Sequence, residues 1–123
     1  MARHVIVVMT NVWKDRHDEY NEWYDSVHVP DLLRIPGVVA AQRFRAGPPL
    51  LSTVEGSPYG YLSLYELEAD DLPGVLAELE KAMPTMAITK AIDIQDVTAY
   101  AFTALTERVE AADVQVATAQ ASS

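Results

Sequence analysis

His4-Val-Ile-Val-Val-Met-Thr10 is a short run rich in β-branched residues, the composition of a central strand. Successive side chains of a strand point to opposite faces, so Ile6 and Val8 lie on one side and Val5, Val7 and Met9 on the other. Both sets are apolar. The sheet that contains this strand therefore needs cover on both faces.

The elements downstream decide how much cover is available. Asp15 is expected to open and cap a helix, with Asp18 and Glu19 in its first turns, where the helix dipole favours acids. Tyr20, Trp23, Tyr24 and Val27 recur at helical spacing and form its apolar face. Pro30 disfavours helical geometry in the residue before it, so the regular helix should finish near His28, with one further turn at Asp31 to Arg34. Val38 to Arg45 reads as a second strand, Gly47 to Pro58 as an irregular loop and Tyr59 to Leu67 as a third strand. Asp70 or Asp71 can cap a second helix with Pro73 in its first turn and a buried stripe of Val75, Leu76, Leu79 and Met83. Residues Pro84 to Gln95 form an irregular link, and Asp96 to Leu105 a last strand. From Thr106 the chain is small, polar and weakly periodic, ending in a loose tail from Ala119.

The order is β-α-β-β-α-β. This is the ferredoxin-like α+β arrangement, a four-stranded antiparallel sheet with two helices on one face. Two helices cover one face only. A second copy placed against the other is the simplest remedy, since a large apolar patch is rarely left on a monomer, and the expected assembly is a homodimer that pairs into a dimeric α+β barrel. Residues 1–105 make the domain, and residues 106–123 a C-terminal extension.

Composition narrows the function. The 123 residues suit one domain of the usual ~100 to 150 residues, and half are hydrophobic. Nine Lys and Arg against 18 Asp and Glu leave a net charge of −9, which disfavours nucleic acid and an anionic membrane surface as partners. Without cysteine there is no disulfide, thiolate metal site or cysteine nucleophile. Val5 to Met9 is too short for a signal-peptide core and nothing approaches a membrane span, so a cytoplasmic location is expected. Glycine-rich phosphate or dinucleotide fingerprints are absent, three scattered His make no metal-ligand spacing, and no cofactor is expected.

Tyr20-Asn-Glu-Trp-Tyr-Asp-Ser-Val-His-Val-Pro-Asp-Leu-Leu-Arg-Ile-Pro-Gly37, followed by Ala41-Gln-Arg-Phe-Arg45, resembles the EthD-like branch of the dimeric α+β-barrel superfamily. In that branch a helix reading Trp-Tyr-x-x-x-His-x-Pro runs into a Pro-Gly turn, and a strand with an Arg-Phe or Arg-Tyr pair follows. The local match spans residues 17–45, and the element order extends it to about residue 105. The resemblance implies cofactor-free chemistry on small molecules, with oxygenases, cyclases, isomerases, lyases and dehydratases among the relatives. It also implies a pocket between helices and sheet, with a His or a few polar groups among apolar walls.

Candidate residues follow from chemistry and from that resemblance. His28 titrates near neutrality and stands four residues after Tyr24, so the two project from nearly one face. At the end of the first helix the dipole would favour imidazolium, and the bland role is a His that caps helix carbonyls. The resemblance places a His at this point in the pocket wall. Tyr24 is the candidate proton donor, and Trp23 a pocket wall or core residue. Asp25 and Asp31 flank His28 and can orient it, or else stay solvated or cap a turn. Arg43 alternates with Val39 and Ala41, which sets a guanidinium on an apolar face, either to hold a substrate oxyanion or to make an ion pair. Tyr61, Ser63 and Tyr65 share one face of the third strand and line the same cavity if that face meets the helices. His4 and His17 have weaker claims.

The expected function is a cofactor-independent enzyme acting on a hydrophobic or phenolic carbonyl compound. His28 is its general acid or base, with Tyr24 and Arg43 in the catalytic set and Trp23, Tyr61, Tyr65 and Asp31 around the substrate. Two alternatives compete. One is a dimeric ligand-binding or accessory protein without turnover, the other a purely structural barrel whose helix–sheet space is filled with side chains.

Overall fold

The computed structural model describes residues 2–51 and 55–114. Residue 1, residues 52–54 of the expected loop, and residues 115–123, which include the expected tail, lie outside the described residues. Strands β1 (Arg3–Thr10), β2 (Val38–Arg45), β3 (Tyr61–Glu68) and β4 (Thr98–Thr103) form one antiparallel sheet in the order β2-β3-β1-β4. Between β1 and β2 lie α1 (His17–Trp23), a π-helical turn (Tyr24–His28) and α2 (Val29–Leu33). Helix α3 (Leu72–Ala82) and a 3-10 turn (Met83–Thr85) connect β3 to β4. This is the expected β-α-β-β-α-β ferredoxin-like fold.

Register assigns the two faces. Ile6 pairs with Tyr65 and Val8 with Ser63, while Val7 pairs with Leu64 and Tyr100. The Ile6 side packs beneath the helices, where Leu32, Val38, Tyr65, Leu67 and Leu79 make the main core. Full burial of such an apolar side chain is worth about 1.5–3 kcal/mol. On the opposite side Tyr100, Phe102 and Phe44 remain exposed beside partly buried Val5 and Val7. The sheet is thus covered on one face only.

Four local expectations are corrected. Asp15 caps no helix: Lys14 and Asp15 take left-handed φ values of 53° and 56°, and the capping position passes to Arg16, which makes no side-chain capping bond. Asp tolerates that backbone, and the Asp15 carbonyl accepts from the His17 amide at 2.9 Å. Nor does Pro30 end the first helix at His28. The Val29 amide reaches back to the Tyr24 carbonyl, a five-residue step, and the extra residue lets Pro30 fall in the first turn of α2, where a missing N–H does no harm. Third, β2 carries a register shift between Val38 and Ala40, which buries Val38 and exposes Val39, so Arg43 shares its face with Ala41 but not with Val39. Fourth, Met83 leaves the buried stripe of α3 for the exposed 3-10 turn.

Asp71 caps α3 by accepting from the Gly74 amide at 3.1 Å. Gly37 makes the tight entry into β2 at φ +98°, and a Cβ there would meet a Val75 methyl at 2.9 Å. No helix among the described residues is long and apolar enough to cross a membrane.

Candidate active site

Helix α1 and its π turn lie against the sheet through aromatic side chains. Tyr20 and Tyr24 are fully buried, with ring centroids 5.2 Å apart. The Tyr20 hydroxyl pairs with Thr10 Oγ1 at the end of β1, and burial pushes its pKa up to about 12. Behind these rings the first helix, β1, β4, α3 and the 84–97 link line a cavity of about 350 Å³ that is partly open to solvent, where Met83, Ile88, Ile94 and Tyr100 are more than half exposed. Its floor is Ile6, Val8 and Tyr65 of the sheet, and its walls include Leu32, Leu76 and Leu79.

His28 stands in this wall. Its ring stacks on Trp23 at 4.6 Å with an 18° interplanar angle and meets Tyr24 edge to face at 5.2 Å. Nδ1 is buried without a hydrogen-bond partner among the described residues. His28 does not cap the helix, because the helix continues through Leu33. The expected dipole effect is therefore absent at this position, and burial lowers the His28 pKa against a smaller opposing influence of Asp31. A neutral imidazole at neutral pH follows.

That shift has a consequence for stability. An unfolded His takes up a proton near its ordinary 6.5, whereas folded His28 resists until a lower pH. Between those values the unfolded state binds more protons, so stability is whole above pH ~6.5 and falls as the pH drops through the folded pKa. Urea midpoints measured from pH 7.5 to 5 should fall more steeply for the wild type than for His28→Gln. Equal slopes would contradict a buried neutral His28.

The candidate residues divide into three places. His28, Tyr24, Trp23 and Tyr65 converge on the cavity. Arg43 does not line it. Its guanidinium lies 4.5 Å from the Tyr24 ring centre, 5.5 Å from Tyr20 and 5.8 Å from Tyr61, an aromatic cage beside the cavity. Nη1 donates to Asp25 at 2.6 Å and Nη2 to the Asn21 side-chain oxygen at 2.7 Å. Asp25 therefore serves Arg43 and not His28. Tyr61 belongs to the same cage, with its hydroxyl 2.9 Å from His17 Nδ1. Asp31 accepts from Arg34 at 2.7 Å and influences His28 only through its charge.

Tyr65 is deeply buried, its hydroxyl lacks a partner among the described residues, and burial pushes its pKa well above the ordinary tyrosine value. His4 is structural: one ring nitrogen donates to the Ala69 carbonyl at 3.0 Å, and the other meets Thr103 Oγ1 at 2.9 Å. Among the described residues no group of three His, Asp or Glu could hold a metal ion.

Sequence reasoning missed the remaining wall. Ile88, Ile92, Ile94 and Val97 of the irregular link, with Glu80 of α3, complete the cavity. The link is held by an isolated bridge between Val12 and Ile92, by the Trp13 amide on the Ala91 carbonyl at 2.6 Å, and by the Trp23 indole N–H on the Ala87 carbonyl at 2.9 Å. Ile88, Ile92 and Ile94 are four and two residues apart, and Lys90 interrupts the alternation that would have placed them on one face of a strand, so no clean period marked them as a wall.

No protein-family model matches the sequence, and no curated protein matches it significantly. Solved structures do. An EthD-like protein from Ralstonia eutropha JMP134 superposes with a TM-score of 0.65 at 12% identity, over 88% of this chain and 96% of that one. HapK from Hahella chejuensis aligns with a TM-score of 0.52 at 17% identity, and a candidate monooxygenase from Shewanella loihica PV-4 with 0.52 at 14%, each over 88% of this chain and 97% of the other. At such identities the likeness is one of backbone, and with the observed element order it shows that this chain has the ferredoxin-like α+β fold of EthD-like proteins.

Proposed function

We infer that this chain is a cofactor-independent enzyme that moves a proton on a hydrophobic or phenolic carbonyl compound bound in the 350 Å³ cavity. One observation carries the reading. A neutral histidine, clamped between Trp23 and Tyr24, stands in an almost wholly apolar chamber. A concave apolar space with a few convergent polar groups and a perturbed titratable residue is how small-molecule active sites are built. A purely structural barrel would have filled that space. His28 is the acid–base group, and Tyr24 orients it. Arg43 acts one step removed, through its contact with the Tyr24 ring, because it does not line the cavity. Lyase, isomerase, dehydratase, cyclase and oxygenase chemistry are all compatible with this apparatus, and a shared fold does not choose among them.

The active form is a homodimer paired through the uncovered sheet face, where Tyr100, Phe102 and Phe44 are exposed.

A panel of aromatic ketones, lactones and phenols, incubated with the chelator-treated protein and analysed by mass spectrometry, tests the function. Turnover of at least one compound is expected, and Ala99→Trp should abolish it. Ala99 is exposed on β4 and lines the cavity, so an indole there obstructs the chamber without disturbing the core. Undiminished turnover by Ala99→Trp would remove the cavity from the mechanism. Binding without turnover across the panel would favour a ligand-binding protein.

A further inference from the structure

The cavity also carries information about the polarity and charge of what it takes, an inference that rests on reading it as the ligand site. Of the two His28 ring nitrogens, Nδ1 is sealed and unpartnered among the described residues. Buried N–H groups without an acceptor are rarer in proteins than unmet acceptors. A proton on Nδ1 would strand such a donor, whereas a lone pair there strands only an acceptor. The neutral ring is therefore better accommodated with its proton on Nε2, and its lowered pKa keeps it from holding both protons at neutral pH. His28 is one of the few polar residues in the wall, and with Nδ1 closed off the edge left for a ligand is the one bearing Nε2. What it offers is a hydrogen-bond donor.

Charge points the same way. No lysine or arginine is among the described residues that line the cavity, and the one ionised side chain there is Glu80. The nearby guanidinium of Arg43 does not line the cavity; it gives Nη1 to Asp25 and Nη2 to Asn21, and its buried Nε has no partner among the described residues. A carboxylate entering this partly open, apolar cavity would lose part of its water without gaining a counter-charge, and the chain's net charge of −9 adds to the repulsion.

We propose that the cavity binds an uncharged, largely apolar carbonyl compound through one oxygen that accepts a hydrogen bond from His28 Nε2–H, and that it rejects carboxylates. His28 then polarises the carbonyl as an acid in the first instance.

Three probes of matched shape test this on the full chain: 2-acetylnaphthalene, 2-ethylnaphthalene and 2-naphthoate. Nitrogen-15 spectra of the imidazoles report the His28 tautomer, and titrations followed by the same signals report affinity. Nε2 should carry the proton, and the ketone should bind about tenfold more tightly than the hydrocarbon or the carboxylate. His28→Gln, whose side-chain amide supplies a donor, should retain the preference for ketone over hydrocarbon, and His28→Phe should lose it. If the phenylalanine variant does not fold, the glutamine variant and the tautomer still decide. A proton on Nδ1, or naphthoate binding as tightly as the ketone while shifting the His28 signals, overturns the proposal and leaves the cavity as the ligand site. No response of His28 to any probe overturns the cavity reading, and this proposal with it.

Discussion

His28→Ala lowers kcat by about 10²- to 10⁴-fold on any substrate the cavity turns over, and raises KM by no more than about tenfold. That range is what one positioned acid–base group contributes in a transition state. The modest change in KM follows from the wall, because Leu32, Leu76, Leu79 and the isoleucines of the link supply most of the contact with an apolar ligand and only the hydrogen bond from His28 is lost. The loss should not be a folding defect. The His28 ring carries a nitrogen that is already buried and unpaired, so its removal strands no partner among the described residues. Stopped assays on wild type and variant, with urea midpoints measured alongside, separate the two effects. Activity within threefold of wild type would end the case for His28. Tyr24→Phe keeps the ring between His28 and Arg43 and should cost less than His28→Ala.

Val7→Glu is expected to convert the proposed homodimer to a monomer. Val7 lies at the centre of the sheet face away from the helices, between Leu64 on β3 and Tyr100 on β4. A stable interface of ordinary size buries ~800 Å² per partner, which this face can supply only if its central strands are included. Two glutamates brought together across a two-fold interface meet a like charge without water, at a cost of several kcal/mol, and dimer affinity falls roughly 10²- to 10³-fold. Sedimentation velocity at micromolar concentration shows the change directly. A wild type that is already monomeric, or a variant that remains fully dimeric, would assign this face to something else. On the monomer itself the substitution is mild, because Val7 is only partly buried there.

The strands and both helices were readable from short-range pattern. Alternation in His4 to Thr10 and the helical spacing of Tyr20, Trp23 and Tyr24 are local properties, and local periodicity sufficed for element order, for the ferredoxin-like class and for the uncovered face. The motif around His28 also contains four of the cavity residues, Trp23, Tyr24, His28 itself and Leu32. Three features needed the third dimension. The π turn was hidden because Pro30 reads locally as a stop, and only packing of the continuous helix on the sheet makes an extra residue cheaper than a break. Arg43 looked free to hold an oxyanion. Its partners Asp25, Asn21 and Tyr61 are brought to it by the sheet and helix together, so its commitment cannot be read from alternation in one strand. The isoleucine wall of residues 88–94 is broken by Lys90 and is placed by a backbone anchored to residues 11–13 and to Trp23, contacts no local pattern records. Which elements form, and which of their faces are apolar, is written in the local order of residues. Which polar groups are already paired is set by the assembled chain, because pairing depends on distances between segments that no local pattern records.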